Sequence, residues 1–156
     1  MIDWVRADTL GLEIPAHSGS LQTGGETFLT LAFRATGALS ADNRVVLITQ
    51  LEECPGGSTG RKLLLSVEYE KPAPDLHTDL FIMFSRDFNN KIRDRARTQM
   101  EQEVQFALLS RCPEFPIAVP TCYFSDYHQA SGTGILITQR VAFGSDGIEP
   151  HYEKCL

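Results

Sequence analysis

Apolar positions recur along this chain with two different periods, and the places where the period changes predict its elements. Over residues 26–36, Phe28, Leu29, Ala32 and Phe33 return at helical spacing, and Gly37 stands where a left-handed C-cap ends a helix. Val45-Val46-Leu47-Ile48-Thr49 and Leu63-Leu64-Leu65-Ser66-Val67 are dense in aliphatic and β-branched residues, so both read as strands, the second over residues 62–69. After Lys71-Pro72-Ala73-Pro74-Asp75 interrupts it, Leu80-Phe81-Ile82-Met83-Phe84-Ser85 reads as a buried third strand. Between residues 91 and 110, Ile92, Ala96, Met100, Val104, Ala107 and Leu108 describe one long amphipathic helix that ends at Cys112-Pro113. Residues 121–127 and 134–141 form a second hairpin around Gln129-Ala130-Ser131-Gly132-Thr133.

The pattern therefore predicts an α+β fold, a five-stranded antiparallel sheet flanked by a long helix, with an N-terminal extension. The extension spans residues 1–40 and carries one helix, the main unit spans 41–143, and 144–156 reads as a connector without a periodic core. Residues 1–20 give little periodic signal beyond Trp4 and Val5.

Composition narrows the function classes. At 156 residues, 42% apolar and 22% charged, the chain has the balance of a soluble globular domain with a real core. A formal charge of −6 with scattered Lys and Arg argues against a general nucleic-acid or anionic-membrane surface, so phosphate recognition has to be local. Cys54, Cys112, Cys122 and Cys155 show no metal-ligand spacing and the first residues lack the basic and apolar blocks of a signal peptide, which together read as reduced thiols in the cytoplasm. No apolar run approaches the length of about 20 residues that spans a bilayer. His17, His128 and His151 have no ligand-spaced partners, and Ser18, Ser58 and Ser131 lie outside any GxSxG setting, leaving a metal site and serine hydrolysis unsupported.

The run Pro55-Gly56-Gly57-Ser58-Thr59-Gly60-Arg61-Lys62 joins the first two strands. It matches neither GxxxxGK[ST] opening a helix nor GxGxxG between strand and helix. Two readings stand: a hairpin that presents backbone N–H groups to a phosphate, or a surface turn whose glycines supply positive φ. On the long helix, Glu103 borders the apolar stripe, and it either needs a partner or bends from the rim toward water.

A glycine hairpin, a third strand, a helix with an inward glutamate, a second hairpin and a connector, in this order, resemble the N-terminal lobe of kinase-like phosphotransferases, most closely the aminoglycoside phosphotransferase-like family. The residues that carry the likeness are Gly56-Gly57-Ser58-Thr59-Gly60, Glu103 within Glu103-Val104-Gln105-Phe106-Ala107-Leu108-Leu109, Pro116-Ile117-Ala118-Val119-Pro120, and Gly134-Ile135-Leu136-Ile137-Thr138-Gln139-Arg140-Val141. The resemblance implies that Gly56, Gly57, Ser58, Thr59 and Gly60 cover the phosphates of ATP with Mg2+. It implies that Gln139 to Val141 offer hinge backbone groups to the adenine edge, with Ile48, Leu65 and Ile137 as apolar walls, and that Glu103 orients a phosphate-binding cation.

Two departures qualify it. The third-strand lysine that pairs with the helix glutamate is replaced by Met83, with Lys62 or Lys71 on the second strand as substitutes, and Met83→Lys is then expected to tighten nucleotide binding when the lobe is joined to a second one. The catalytic aspartate and metal ligands of the family belong to a C-terminal lobe, whereas His77-Thr78-Asp79 matches HxD in letters only and reads as a turn. The expectation is an ATP-binding N-terminal lobe that ends before the catalytic loop and does not catalyse transfer alone. Joined to a second lobe it would phosphorylate a small-molecule hydroxyl, and its uncovered underside would favour self-association. The alternatives are a non-catalytic binding module of the same shape and an unrelated α+β domain.

Overall fold

The computed structural model describes residues 1–142, so Phe143 and the connector 144–156 lie outside the described residues. An antiparallel ribbon of β1 (Trp4–Arg6) and β2 (Glu13–Pro15) leads into a one-turn helix α1 (Ser18–Leu21) and then α2 (Gly25–Ala35). Five antiparallel strands follow: β3 (Val45–Cys54), β4 (Arg61–Tyr69), β5 (Asp79–Phe84), β6 (Cys122–His128) and β7 (Thr133–Gln139), arranged β3-β4-β5-β7-β6. The helical segment between β5 and β6 comprises α3 (Lys91–Arg95), a 3₁₀ turn Arg97–Gln99 and α4 (Met100–Leu109). The expected α+β class and five-stranded antiparallel sheet are present.

Strand alternation divides the core. Leu63, Leu65 and Val67 of β4, Leu80, Ile82 and Phe84 of β5, and Ile135 and Ile137 of β7 point to one face and are almost fully buried. Ile14, Leu21, Phe28, Leu29, Ala32, Phe33 and Leu39 cover them, so residues 1–40 complete the main core. A run of edge-on aromatic contacts, Trp4 to Phe28 at 5.8 Å and Phe28 to Phe124 at 5.6 Å, joins ribbon, helix and sheet. Polar ties hold the layer in register: buried Asp126 accepts from the backbone N–H of Thr9 and Leu10, and Thr30 Oγ1 accepts from Val45 N at 3.0 Å. The sequence expectation missed the ribbon and α1 because three- and four-residue elements are too short to display a period.

The single long helix over 91–110 is corrected. Asn90 caps α3 through its side chain, but Ala96 N bonds Arg93 O and Gln99 N bonds Ala96 O, the i−3 pattern of a tightened turn. Arg97 donates to Asp94 O and to Ser131 O, which anchors the break to the β6–β7 turn. The changed winding throws Ile92 out of the stripe, 80% exposed. α4 alone packs on the sheet's second face, where Met100, Val104 and Tyr127 form a small cluster with Met83, Leu108 and Leu136.

The Tyr127 hydroxyl sits in that cluster, buried and without a hydrogen-bond partner among the described residues, and burial pushes its pKa up. Tyr127→Phe removes the stranded hydroxyl without changing the ring. We expect it to leave stability unchanged or raise it by up to about 1 kcal/mol, read from a thermal melt. A loss of similar size would show that the hydroxyl has a partner. Among the described residues no helix is long and apolar enough to cross a membrane.

Candidate functional site

The second face of the sheet, which we call the underside, is covered only in part. Its residues line up in rows across the strands, because Lys62 pairs with Met83 and Met83 with Leu136, Leu64 with Phe81 and Phe81 with Thr138, and Ser66 with Asp79. α4 lies over β6 and β7 at the end of the first row, tied there by Ser125 Oγ donating to Val104 O at 3.1 Å. The turn between β3 and β4 closes the same end of the sheet.

That turn holds three glycines at positive φ: Gly56 at 115°, Gly57 at 78° and Gly60 at 58°. Gly56, Gly57 and Ser58 are exposed, Thr59 is half-buried and Gly60 is buried. Among the described residues the N–H groups of Gly56, Gly57, Ser58 and Thr59 make no internal hydrogen bond, so they are free to receive an anion. Gly60 has a packing reason for its identity, since a Cβ there would stand 1.9 Å from the Phe84 carbonyl oxygen. Arg93 Nη2 donates to the Gly60 carbonyl at 2.6 Å. Arg93 and Arg61 in turn flank buried Asp87, whose two oxygens lie 3.1 Å from Arg61 Nε and 3.5 Å from Arg93 Nε.

The remaining expected residues fall on both faces. Met83 is half-buried on the underside and packs against Met100 and Val104. Glu103 is exposed, which corrects its placement on the inner side of the helix. At 100° per residue it lies about 70° from the centre of the stripe formed by Met100, Val104 and Ala107. It forms no ion pair among the described residues, yet it lines a groove of about 530 Å³ with Phe106, Val119, Leu136 and Thr138. Gln139 ends β7 with its N–H bonded to Thr121 O at 2.8 Å, and half-buried Val141 follows the strand's end.

The expected base walls Leu65 and Ile137 are corrected too, since both are 0% exposed and face the N-terminal layer, against which Ile48 also packs. Strand alternation has the opposite phase: the underside apolar residues are Leu64, Phe81, Met83, Leu136 and the aliphatic part of Thr138. His77 N and Nδ1 meet the Tyr123 hydroxyl, and Asp79 accepts from Ser66 Oγ, so both ends of His77-Thr78-Asp79 make structural contacts. Arg140, expected only as a backbone position between Gln139 and Val141, reaches back with its side chain to Leu65 O, Leu80 O and Gln50 Oε1.

Beside the glycine turn, Arg86 grips Asp94 through two hydrogen bonds of 2.8 and 2.9 Å. That grip holds the Asp94 carboxyl below the ordinary carboxylate range. A depressed folded-state pKa contributes stability that is full above the unfolded value, near 3.9, and is lost as the pH falls through the folded one. We expect Asp94→Asn to cost about 1.5–3 kcal/mol near neutral pH and the gap from wild type to shrink below about pH 4, measured by urea titration. A gap independent of pH would remove the ion pair as its cause.

Among the described residues no cluster of three or more His, Cys, Asp or Glu side chains is arranged to hold a metal ion. No protein-family model, no curated protein and no solved structure matches the chain.

Proposed function

We propose that this chain is the nucleotide-covering lobe of a kinase-like small-molecule phosphotransferase, with the glycine turn over the phosphates and the underside over the base. The observation that carries the reading is that one sheet brings the glycine turn, position 83, the flank of α4 bearing Glu103 and the Gln139–Val141 end of β7 to a single, incompletely covered face. The order of elements on which the resemblance rests also survives as hairpin, strand, helix, hairpin.

The residues present suit the phosphate chain of ATP: four free N–H groups at a turn without bulky side chains. When bound with Mg2+, the nucleotide supplies the γ-phosphoryl group for transfer to a small-molecule hydroxyl. The metal ligands and the general base then belong to a second lobe, and the chain alone binds without turnover in a cytoplasmic setting. A partly apolar underside, on which Leu64, Phe81 and Leu136 are only half-buried, is the face for that second lobe and for self-association in its absence.

Hydrogen–deuterium exchange with and without millimolar Mg-ATP tests the reading. Protection at residues 55–62 and along β7 is expected; unchanged exchange at both, at saturating nucleotide, would remove nucleotide binding. A second reading, a non-catalytic binding module, is favoured by Met83 and by Glu103 having no cation partner among the described residues. The intact mass in the native source separates the two. A species much heavier than 17.3 kDa supports a two-lobed enzyme, and one of 17.3 kDa supports the module.

A further inference from the structure

We propose that Lys62 of β4 supplies the cation of the phosphate site, in place of a lysine on β5. This assignment rests on the nucleotide-binding reading above and adds to it the residue that neutralises the polyphosphate. Lys62 and Met83 are direct cross-strand partners, and alternation turns both toward the underside. Side chains so paired start about 5 Å apart at Cβ, and lysine and methionine have similar reach. The volume that a lysine at position 83 would enter is therefore open to Lys62.

The position of the ammonium makes the case specific. Lys62 Nζ lies against the glycine turn, so that a Cβ on Gly57 would stand only 1.7 Å from it. A positive charge is thereby held beside the free N–H groups of Gly56 to Thr59, in a protein whose formal charge is −6. Lys62 has no ion pair among the described residues, whereas the neighbouring Arg61, Arg86, Arg93 and Arg97 are all within ion-pair distance of Asp or Glu. Lys71 is unsuited to the role, because it pairs with Asp42 at 2.6 Å beyond the far end of β4.

The assignment also explains Met83. With the charge carried one strand away, position 83 is free to pack against Met100 and Val104 and to seat α4. Met83→Lys would then place two ammonium groups side by side, which is unfavourable across a strand pair. It should add little affinity to the wild-type chain, contrary to the expectation from sequence.

The test titrates the 15N-labelled 156-residue chain with Mg-ATP and with inorganic tripolyphosphate, following the amides of Gly56, Gly57 and Gly60. We expect saturable shifts with both, a loss of at least tenfold in affinity in Lys62→Met, near-wild-type affinity in Lys62→Arg, and recovery in the swap Lys62→Met with Met83→Lys. The dispersion of the same spectra reports whether each variant is folded. Wild-type binding that Lys62→Met leaves unchanged would overturn the role of Lys62 and keep the nucleotide-binding reading. Absence of any shift in the wild type with either titrant would overturn that reading and the assignment with it.

Discussion

Gly60→Ala is expected to lower the unfolding free energy by about 3 kcal/mol or more, a large share of the roughly 5–15 kcal/mol that holds a domain of ordinary stability together. Two effects add at this residue. Its φ of 58° costs any L-residue about 1–2 kcal/mol, and the new methyl would stand 1.9 Å from the Phe84 carbonyl oxygen, a backbone atom fixed within the sheet. Relief requires β4 and β5 to part where Arg61 pairs with Phe84. Gly37→Ala is the control: its φ of 75° is close to that of Gly60, but the added carbon meets nothing within 4 Å, so only the backbone cost of about 1–2 kcal/mol is expected. Gly57→Ala meets the flexible tip of Lys62 and should displace that ammonium at a similar cost in stability. Urea midpoints of the three variants decide the matter, and Gly60→Ala falling within 1 kcal/mol of Gly37→Ala would remove the steric term.

These glycines show how much of the site could be read from sequence. Pro55 to Lys62 stood out because glycines between two apolar runs demand a turn, and the turn is there. The sequence did not separate the glycine required by packing, Gly60, from those that leave the loop open, because that depends on the approach of β5 from another part of the chain. All five sheet strands were legible for the same local reason, a short apolar run between turn residues. β3 runs longer than expected, to Cys54, since cross-strand pairing with β4 sustains polar residues such as Gln50, Glu52 and Glu53 in extended backbone.

What failed was phase. Leu64 and Leu65 are equally apolar, and only the sheet's packing against α2 decides that Leu65 enters the main core while Leu64 takes the underside. The same holds for helix 91–110: the stripe from Ile92 to Leu108 fits one continuous helix, and the break comes from Arg97 bonding a carbonyl of the β6–β7 turn, 34 residues away. Glu103 left the stripe by one helical step, and the pairing of Met83 with Lys62 across the sheet is a register that neither run fixes alone. Propensity gave the elements, while long-range contacts settled which face each side chain serves.

Asp87→Ala is expected to cost about 3 kcal/mol and to loosen the glycine turn. Asp87 is only 2% exposed, and its carboxylate stands between Arg61 and Arg93, whose side chains are 31% and 28% exposed. Removing it leaves two half-buried guanidinium groups facing each other without the anion between them, which is worse than never having had the pair. Arg61 retains Glu53 at 2.9 Å, so the larger loss falls on Arg93, the residue that holds the Gly60 carbonyl. The stability loss should therefore come with faster amide exchange at residues 60–62, and with it a weaker hold on the Lys62 ammonium. Asp87→Asn keeps an acceptor for Arg61 but not the charge, and should fall between wild type and alanine in both measurements. Arg93→Ala should reproduce the faster exchange with a smaller loss of stability, since Asp87 would keep Arg61. Asp87→Ala with wild-type exchange across residues 60–62 would show that the turn stands without the buried carboxylate, and that Gly60 is held by its contact with β5 alone.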